Sequence, residues 1–339
     1  VGSASAGRGT RPSGAAPLLQ IADLSVWLPT RRGAAKAVDE VSLYVDAGEI
    51  VGIAGESGSG KTMTALTLLG LLPHGARTTG SVVFAGEQLL GRSQRFLRTV
   101  RGARIAMVSQ DPSTSLHPIL SIGTQLTEHM RHHLGLSKDA ARDRAVELLE
   151  TVRIPDARAA LDSYPGQFSG GMRQRIAIAV ALAAKPTLLL ADEPTTALDV
   201  TVQAGILRLL DRLRVEQNLA VMIITHDLGV MSALADRVVV LYGGRLAETG
   251  PTRDLLSAPR HPYTRGLLDA LPHPELERAA LRPIGGSPPS LGAVPDGCPF
   301  HPRCPHAEPR CATDRPVWRE IAPGHHLACD PDPLRQVTG

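Results

Sequence analysis

The chain has 339 residues, 43% hydrophobic and 20% charged, with 36 basic against 33 acidic side chains and a formal net charge of +3. That length holds one large domain and a smaller appendage. An aromatic content of 3% makes the core aliphatic, and the even spread of basic residues argues against a nucleic-acid partner. No apolar run approaches the roughly 20 residues of a bilayer span; the longest candidate is Ile176 to Ala184. The first residues lack the apolar core of a signal peptide, so a cytoplasmic chain that reaches a membrane only through a partner is expected.

Residues 1–17 are Gly, Ser, Ala and Arg with almost nothing to bury, and are expected to form a disordered tail. Leu18, Ile21 and Leu24 to Leu28 read as a strand, followed by a turn at Arg31–Ala34 and a second strand from Ala37 to Tyr44. Glu49 to Ala54 is a short apolar strand that runs into a glycine-rich loop, with a helix expected over Met63 to Leu72. Residues 138–152 place Ala141, Ala145, Leu148, Leu149 and Val152 at helical spacing behind a candidate N-cap, Ser137. A further helix begins near Ser169 and stops at Lys185-Pro186. Thr187 to Asp192 and Leu219 to Thr225 are continuous apolar runs, as buried parallel strands should be. Between them, Val200 to Gln217 is amphipathic, with Asn218 able to cap its end. Val238 to Tyr242 and Arg245 to Thr249 form a hairpin around Gly243-Gly244. Strands alternating with helices give an α/β domain with a largely parallel sheet. From Pro259 onward proline is dense and periodicity weak, which marks a separate smaller module.

Residues 55–62, GESGSGKT, fit the pattern G-x-x-x-x-G-K-[ST] at every fixed position. Gly55, Gly58 and Gly60, with Glu56, Ser57 and Ser59 between them, allow the backbone amides to turn inward around phosphate oxygens. Lys61 supplies a mobile cation to the β- and γ-phosphates. Thr62 offers a hydroxyl to Mg²⁺ and opens a helix whose N-terminus favours anions. A strand before the loop and a helix after it make nucleotide binding the reading over a plain glycine turn. Asp192 and Glu193 end the strand TLLLAD, at the ligand edge of an α/β sheet. Asp192 suits Mg²⁺ and Glu193 suits the polarisation of an attacking water.

Residues 168–172, FSGGM, followed by RQRIAIAVAL, resemble the signature motif of the ABC ATPases. Ser169, Gly170, Gly171 and Met172 open a helix, a second anion-favouring N-terminus. In a head-to-tail pair of cassettes the signature of one would close over ATP held by the other. The same resemblance makes Gln110 the glutamine that contacts Mg²⁺ and faces the transport channel. It makes Asp199 of TALD a residue of the dimer interface, and His226 of IITHD the switch histidine on the γ-phosphate. The fold implied is a RecA-like core with an antiparallel β subdomain over 18–258, an inserted helical subdomain at about 106–179, and a small irregular C-terminal metal-cluster module over 259–339. One departure stands out. The aromatic that this family stacks on adenine falls by position at Leu28, which cannot stack; Trp27 beside it is the remaining candidate, on the opposite side of the strand's alternation.

HPYTRGLLDALP (261–272), GSPPSL (286–291) and GCPFHPRCPHAEPRC (297–311) resemble the C-terminal extension of the dipeptide/oligopeptide importer ATPases, a likeness that runs from about Leu18 to Asp330. All four cysteines lie in this tail, as Cys298, Cys304, Cys311 and Cys329. Spacing alone leaves a Zn²⁺ site and an iron–sulfur cluster equally open, with disulfides third in a cytosolic chain. The family resemblance implies a [4Fe–4S] cluster on these four thiolates. It implies further a peripheral subunit on the cytoplasmic face of the inner membrane, paired with a second ABC ATPase, by family preference a different chain. Two transmembrane permeases and, indirectly, a substrate-binding protein complete the assembly. The expected activity is ATP hydrolysis that powers di- or oligopeptide import. The rival readings are a motor for nickel or glutathione, and a non-transport ABC ATPase with a redox-sensing iron–sulfur tail.

Overall fold

The computed structural model describes residues 16–31, 33–111, 115–196, 198–271 and 283–335. The expected N-terminal tail, apart from residues 16 and 17, lies outside them, as do Ala197 of TALD and the three residues 112–114 after Gln110. The described residues form two compact units, one drawn from 1–45, 51–90 and 225–339, the other from 46–50 and 91–224.

The first unit opens with β1 (Leu19–Thr30) and β2 (Gly33–Val45), an antiparallel hairpin with Thr30 opposite Gly33. Leu19, Ile21, Leu24 and Val26 are buried; the spacing skips a residue because Asp23 sits at φ 49° and the ladder shifts register there. β3 (Ile50–Ala54) is buried along its whole length. The helix α1 (Lys61–Leu68) follows the glycine-rich loop. It stops a turn short of the expected Leu72 because Gly70 enters the left-handed region at φ 58° and the amide of Leu71 closes onto Leu66 O at 2.9 Å. β4 (Arg77–Phe84) and β5 (Glu87–Gln88) complete a four-stranded sheet of order β2-β1-β4-β5, in which every pairing is antiparallel.

The second unit contains α2 (Gln94–Val100), β6 (Ile105–Val108), α3 (Ile122–Leu134), α4 (Lys138–Thr151), α5 (Ala157–Ala160), α6 (Gly170–Leu182), β7 (Leu188–Asp192), α7 (Val200–Gln217) and β8 (Ala220–Ile224). β6, β7 and β8 are parallel neighbours, and β7 and β8 are entirely buried, which is why they read as unbroken apolar runs. Side-chain caps start the helices where sequence suggested. Ser137 Oγ accepts from Ala140 N, Ser169 Oγ from Met172 N and Asp199 Oδ1 from Val202 N. Asn218 ends α7 in the left-handed conformation, at φ 52°.

The chain returns to the first unit with α8 (Leu228–Leu234), β9 (Arg237–Tyr242) and β10 (Arg245–Pro251). Gly243 and Gly244, at φ 56° and 82°, make the two-residue turn between these strands. β9 pairs in parallel with β3. After α9 (Thr252–Ser257) and α10 (Pro262–Asp269), the tail forms short 3₁₀ turns at His301–Arg303 and Pro309–Ala312 and then β11 (Arg319–Ala322) and β12 (His325–Leu327). β12 adds to the edge of β10, with Glu248 opposite Leu327. Phe300, 2% exposed, packs its ring 5.2 Å from Tyr242 and 5.3 Å from Tyr263. The cysteine-bearing tail thus shares a core with β9, β10 and α10. Among the described residues no helix is long and apolar enough to cross a membrane.

Candidate active site

The loop 55–62 is a backbone cradle. Gly55 lies at φ 148°, and a Cβ there would stand 2.3 Å from Leu241 O; Gly60, at φ 99°, would meet Ala37 O at 2.8 Å. Only glycine passes through these two points, so the local sequence dictates the curl. Lys61 is 7% exposed, and its Nζ donates to Gly55 O at 2.6 Å and Glu56 O at 2.8 Å. Its ammonium is therefore held inside the loop that carries it. Thr62 stands in the first turn of α1, where the helix dipole favours an anion.

Glu56, one of the variable positions of the motif, is held on every side. Its amide donates to Tyr263 Oη at 2.7 Å. Its carboxylate takes both terminal nitrogens of Arg303, at 2.6 and 3.1 Å. These partners are 207 and 247 residues away along the chain, and no local pattern could have found them.

His226 is exposed at the end of β8, ahead of α8, whose first amides at Gly229 and Val230 are capped by Asp227 Oδ1 at 2.8 and 3.3 Å. Trp27 is half-buried, opposite Lys36 across the hairpin, with the Lys36 ammonium 5.1 Å from its ring centroid. One face of the Trp27 ring is thus engaged within the hairpin.

In the second unit, β7 delivers Asp192, buried, and Glu193 just beyond it. Glu193 adopts φ 47°, uncommon for a residue with a side chain, and its amide is fixed by Ile224 O at 2.7 Å. Gln110, exposed after β6, donates from Nε2 to Glu193 Oε2 at 3.0 Å, and Thr196 Oγ1 donates to the same oxygen at 2.8 Å. Two residues singled out separately in the sequence therefore meet.

Ser169 and Gly170 are exposed at the mouth of α6, and Gly171 is pressed against α7, where a Cβ would stand 2.5 Å from Val202 Cγ1. Met172 gives its amide to the Ser169 cap. The Asp199 carboxylate caps α7 beside this contact.

The four cysteines are free and line one cavity of about 150 Å³, together with His301 and His306. Cys298 N donates to Cys311 O at 2.8 Å, an approach that Gly297 permits, since a Cβ on it would stand 2.4 Å from Cys311 O. Burial, reinforced by the neighbouring thiols, pushes Cys298 up to about 11 and Cys329 up to about 12. Among the described residues no three His, Cys, Asp or Glu side chains are placed to share one metal ion.

Residues 38–196 match the family model for the ABC transporter, and residues 247–311 the model for the C-terminal region of oligopeptide/dipeptide transporters. The oligopeptide transport ATP-binding protein OppD of Salmonella typhimurium is 48% identical, over 94% of this chain and 95% of that protein. The OppD of Escherichia coli is 46% identical over 92% of each. Among solved structures, the ATP-binding cassette MJ0796, a dimer in a post-hydrolysis state bound to ADP and Pi, superposes with a TM-score of 0.62 at 28% identity, covering 69% of this chain and 99% of that one.

Proposed function

The chain belongs to the ATP-binding subunits of ABC oligopeptide importers, ATPases that power peptide uptake, and we propose how its residues divide that work. The loop amides of 55–60 and Lys61 bind the β- and γ-phosphates. Thr62, Asp192 and Gln110 would hold Mg²⁺, which would neutralise charge on the transferred phosphoryl group. Glu193 takes the proton of the attacking water, with Gln110 setting its orientation, and His226 bonds the γ-phosphate. Ser169 to Met172 close over ATP held by a partner cassette, with Asp199 at the same interface. The observation that carries this reading is the hydrogen bond between Gln110 and Glu193, which joins two separately identified motif residues at one carboxylate.

We place the nucleotide-binding domain at 18–258 with its helical subdomain at about 106–179, and the extension at 259–339. The partners are a second ATPase, a different chain, and two permeases at the cytoplasmic face of the inner membrane, fed by a substrate-binding protein. Cys298, Cys304, Cys311 and Cys329 would hold a [4Fe–4S] cluster in the tail. What supports the reading is that all four thiols line one cavity. The cluster's role would be to order the tail. Proteoliposomes carrying the assembled importer should take up labelled oligopeptide only with MgATP, and lose uptake with Lys61→Ala. Nickel or glutathione uptake in place of peptide would reassign the substrate.

A further inference from the structure

The tail reaches into the phosphate loop through one side chain. The Arg303 side chain is 5% exposed, and the residue lies in the 3₁₀ turn His301–Arg303, between Cys298 and Cys304. Its Nη1 and Nη2 grip the two carboxylate oxygens of Glu56, Nη1 also donates to Tyr242 Oη at 3.1 Å, and Nε donates to Gly285 O at 2.8 Å. A guanidinium satisfied on all its edges is a rigid fork, unlike an ammonium at the end of a flexible stem. Glu56 is equally fixed. Its amide is bonded to Tyr263 Oη and its carbonyl accepts from Lys61 Nζ. A displacement of Glu56 therefore moves an anchor of the lysine that faces the phosphates.

The turn that carries Arg303 is itself built on the cysteine segment. His301 N donates to Cys298 O at 3.1 Å, and Cys304 N to His301 O at 3.2 Å. Phe300, the residue before the turn, is locked between Tyr242 and Tyr263.

We infer that Arg303 is a positioning residue of the ATPase: from the cysteine-bearing tail it clamps Glu56 and thereby sets how tightly the phosphate loop grips nucleotide. The inference rests on the assignment of residues 55–62 to phosphate binding. It gives the tail a part in the nucleotide site, beyond stapling its own fold.

The test uses the full chain in the assembled importer. Arg303→Ala should raise KM for MgATP about tenfold, a coupling in the middle of the range for paired side chains. It should weaken binding of a fluorescent non-hydrolysable ATP analogue by the same factor and leave kcat at saturation nearly unchanged, the pattern of lost uniform binding. Arg303→Lys, which keeps the charge without the fork, should fall between. Glu56→Gln, which keeps the shape and removes the charge, should weaken binding severalfold, and adding Arg303→Ala to it should cost little more. If KM and analogue affinity stay at wild-type values in Arg303→Ala and Glu56→Gln, or if the two effects simply add, the clamp is overturned. Should Arg303→Ala fail to assemble, Glu56→Gln decides alone, because normal affinity there removes the carboxylate from the argument. Lys61→Ala run alongside separates the two readings. Retained nucleotide binding in that variant would remove the phosphate-loop assignment itself. Lost binding there, with normal affinity in the clamp variants, would remove only the clamp.

Discussion

Gln110 Nε2 and Thr196 Oγ1 both donate to Oε2 of Glu193, at 3.0 and 2.8 Å, although Gln110 lies 83 residues earlier in the chain. Two donors on one oxygen restrain the orientation of the carboxylate. The backbone beneath is fixed as well, by the bond from Glu193 N to Ile224 O and by the left-handed φ of 47°. A residue held in a sparsely populated conformation persists where its surroundings over-determine it, and such positions cluster at active sites.

Glu193→Gln should therefore bind MgATP with unchanged affinity and lose about 10²- to 10⁴-fold in kcat, the usual worth of a general base. The amide fills the same space but cannot accept a proton from water. Steady-state hydrolysis and analogue binding in the assembled importer measure the two arms. Hydrolysis near the wild-type rate would give the base role to another group.

The motifs were legible because their chemistry is contiguous. Gly55 to Thr62 need only each other to form a cradle, and Ser137, Ser169 and Asp199 each cap a helix three residues on. The over-long α1 has a local cause: Leu69, Leu71 and Leu72 continue the apolar pattern, while the left-handed turn at Gly70 ends the helix. The hold on Glu56 was not legible, because Tyr263 and Arg303 are brought to it by tertiary packing alone. β12 was also hidden. Its three residues, two of them histidines, carry no strand signal, and it is placed by pairing with β10.

Hydrolysis should require two cassettes. Ser169, Gly170 and the start of α6 form an exposed anion-favouring helix end, a second such place beside the loop 55–62 that we assign to ATP. ATPase rate per molecule in the purified chain should fall on dilution and recover when the partner cassette is added. A rate that stays constant per molecule in a confirmed monomer would remove the head-to-tail arrangement.

Acid should loosen the tail before it unfolds the whole chain. Glu248 is fully buried, with His325 Nε2 2.8 Å from Oε1 and the amides of Arg260 and His261 donating to its carboxylate at 2.8 and 3.0 Å. Burial alone would push this carboxyl up, but the hydrogen bonds, led by His325, hold it below its ordinary value. Burial pushes His261 down to about 4 from 6.5, against the pull of Glu248. Both groups are thus less basic folded than unfolded, so the unfolded chain takes up protons first as pH falls. Their stabilisation is complete above pH 6.5. The His261 share is lost between pH 6.5 and about 4, and the Glu248 share at lower pH. The His261 share lost by pH 5 is about 2 kcal/mol. Hydrogen exchange at 247–251 and 325–328 should accelerate from pH 7 to pH 5 while β7 and β8 stay protected; equal protection at both values would contradict this.

The last prediction joins the cysteines to the nucleotide. Without metal, the thiols of half-buried Cys298 and buried Cys329, pushed up to about 11 and 12, are neutral at physiological pH, and metal binding must displace their protons as it orders the segment. Chain purified without oxygen should carry iron and sulfide and absorb in the visible; stoichiometric zinc without iron would replace the cluster with a single-ion site. Cys311→Ser should lose the metal and, with it, the hold of the thiols on the segment, exposing the amides of 298–329 to exchange. The consequence should not stop at the tail. Arg303 sits between Cys298 and Cys304 and holds Glu56, so Cys311→Ser should also raise KM for MgATP, and the increase should vanish when the same change is made in an Arg303→Ala chain. A metal-free tail with unaltered nucleotide affinity would mean that the aromatic packing of Phe300 on Tyr242 and Tyr263 holds the clamp by itself.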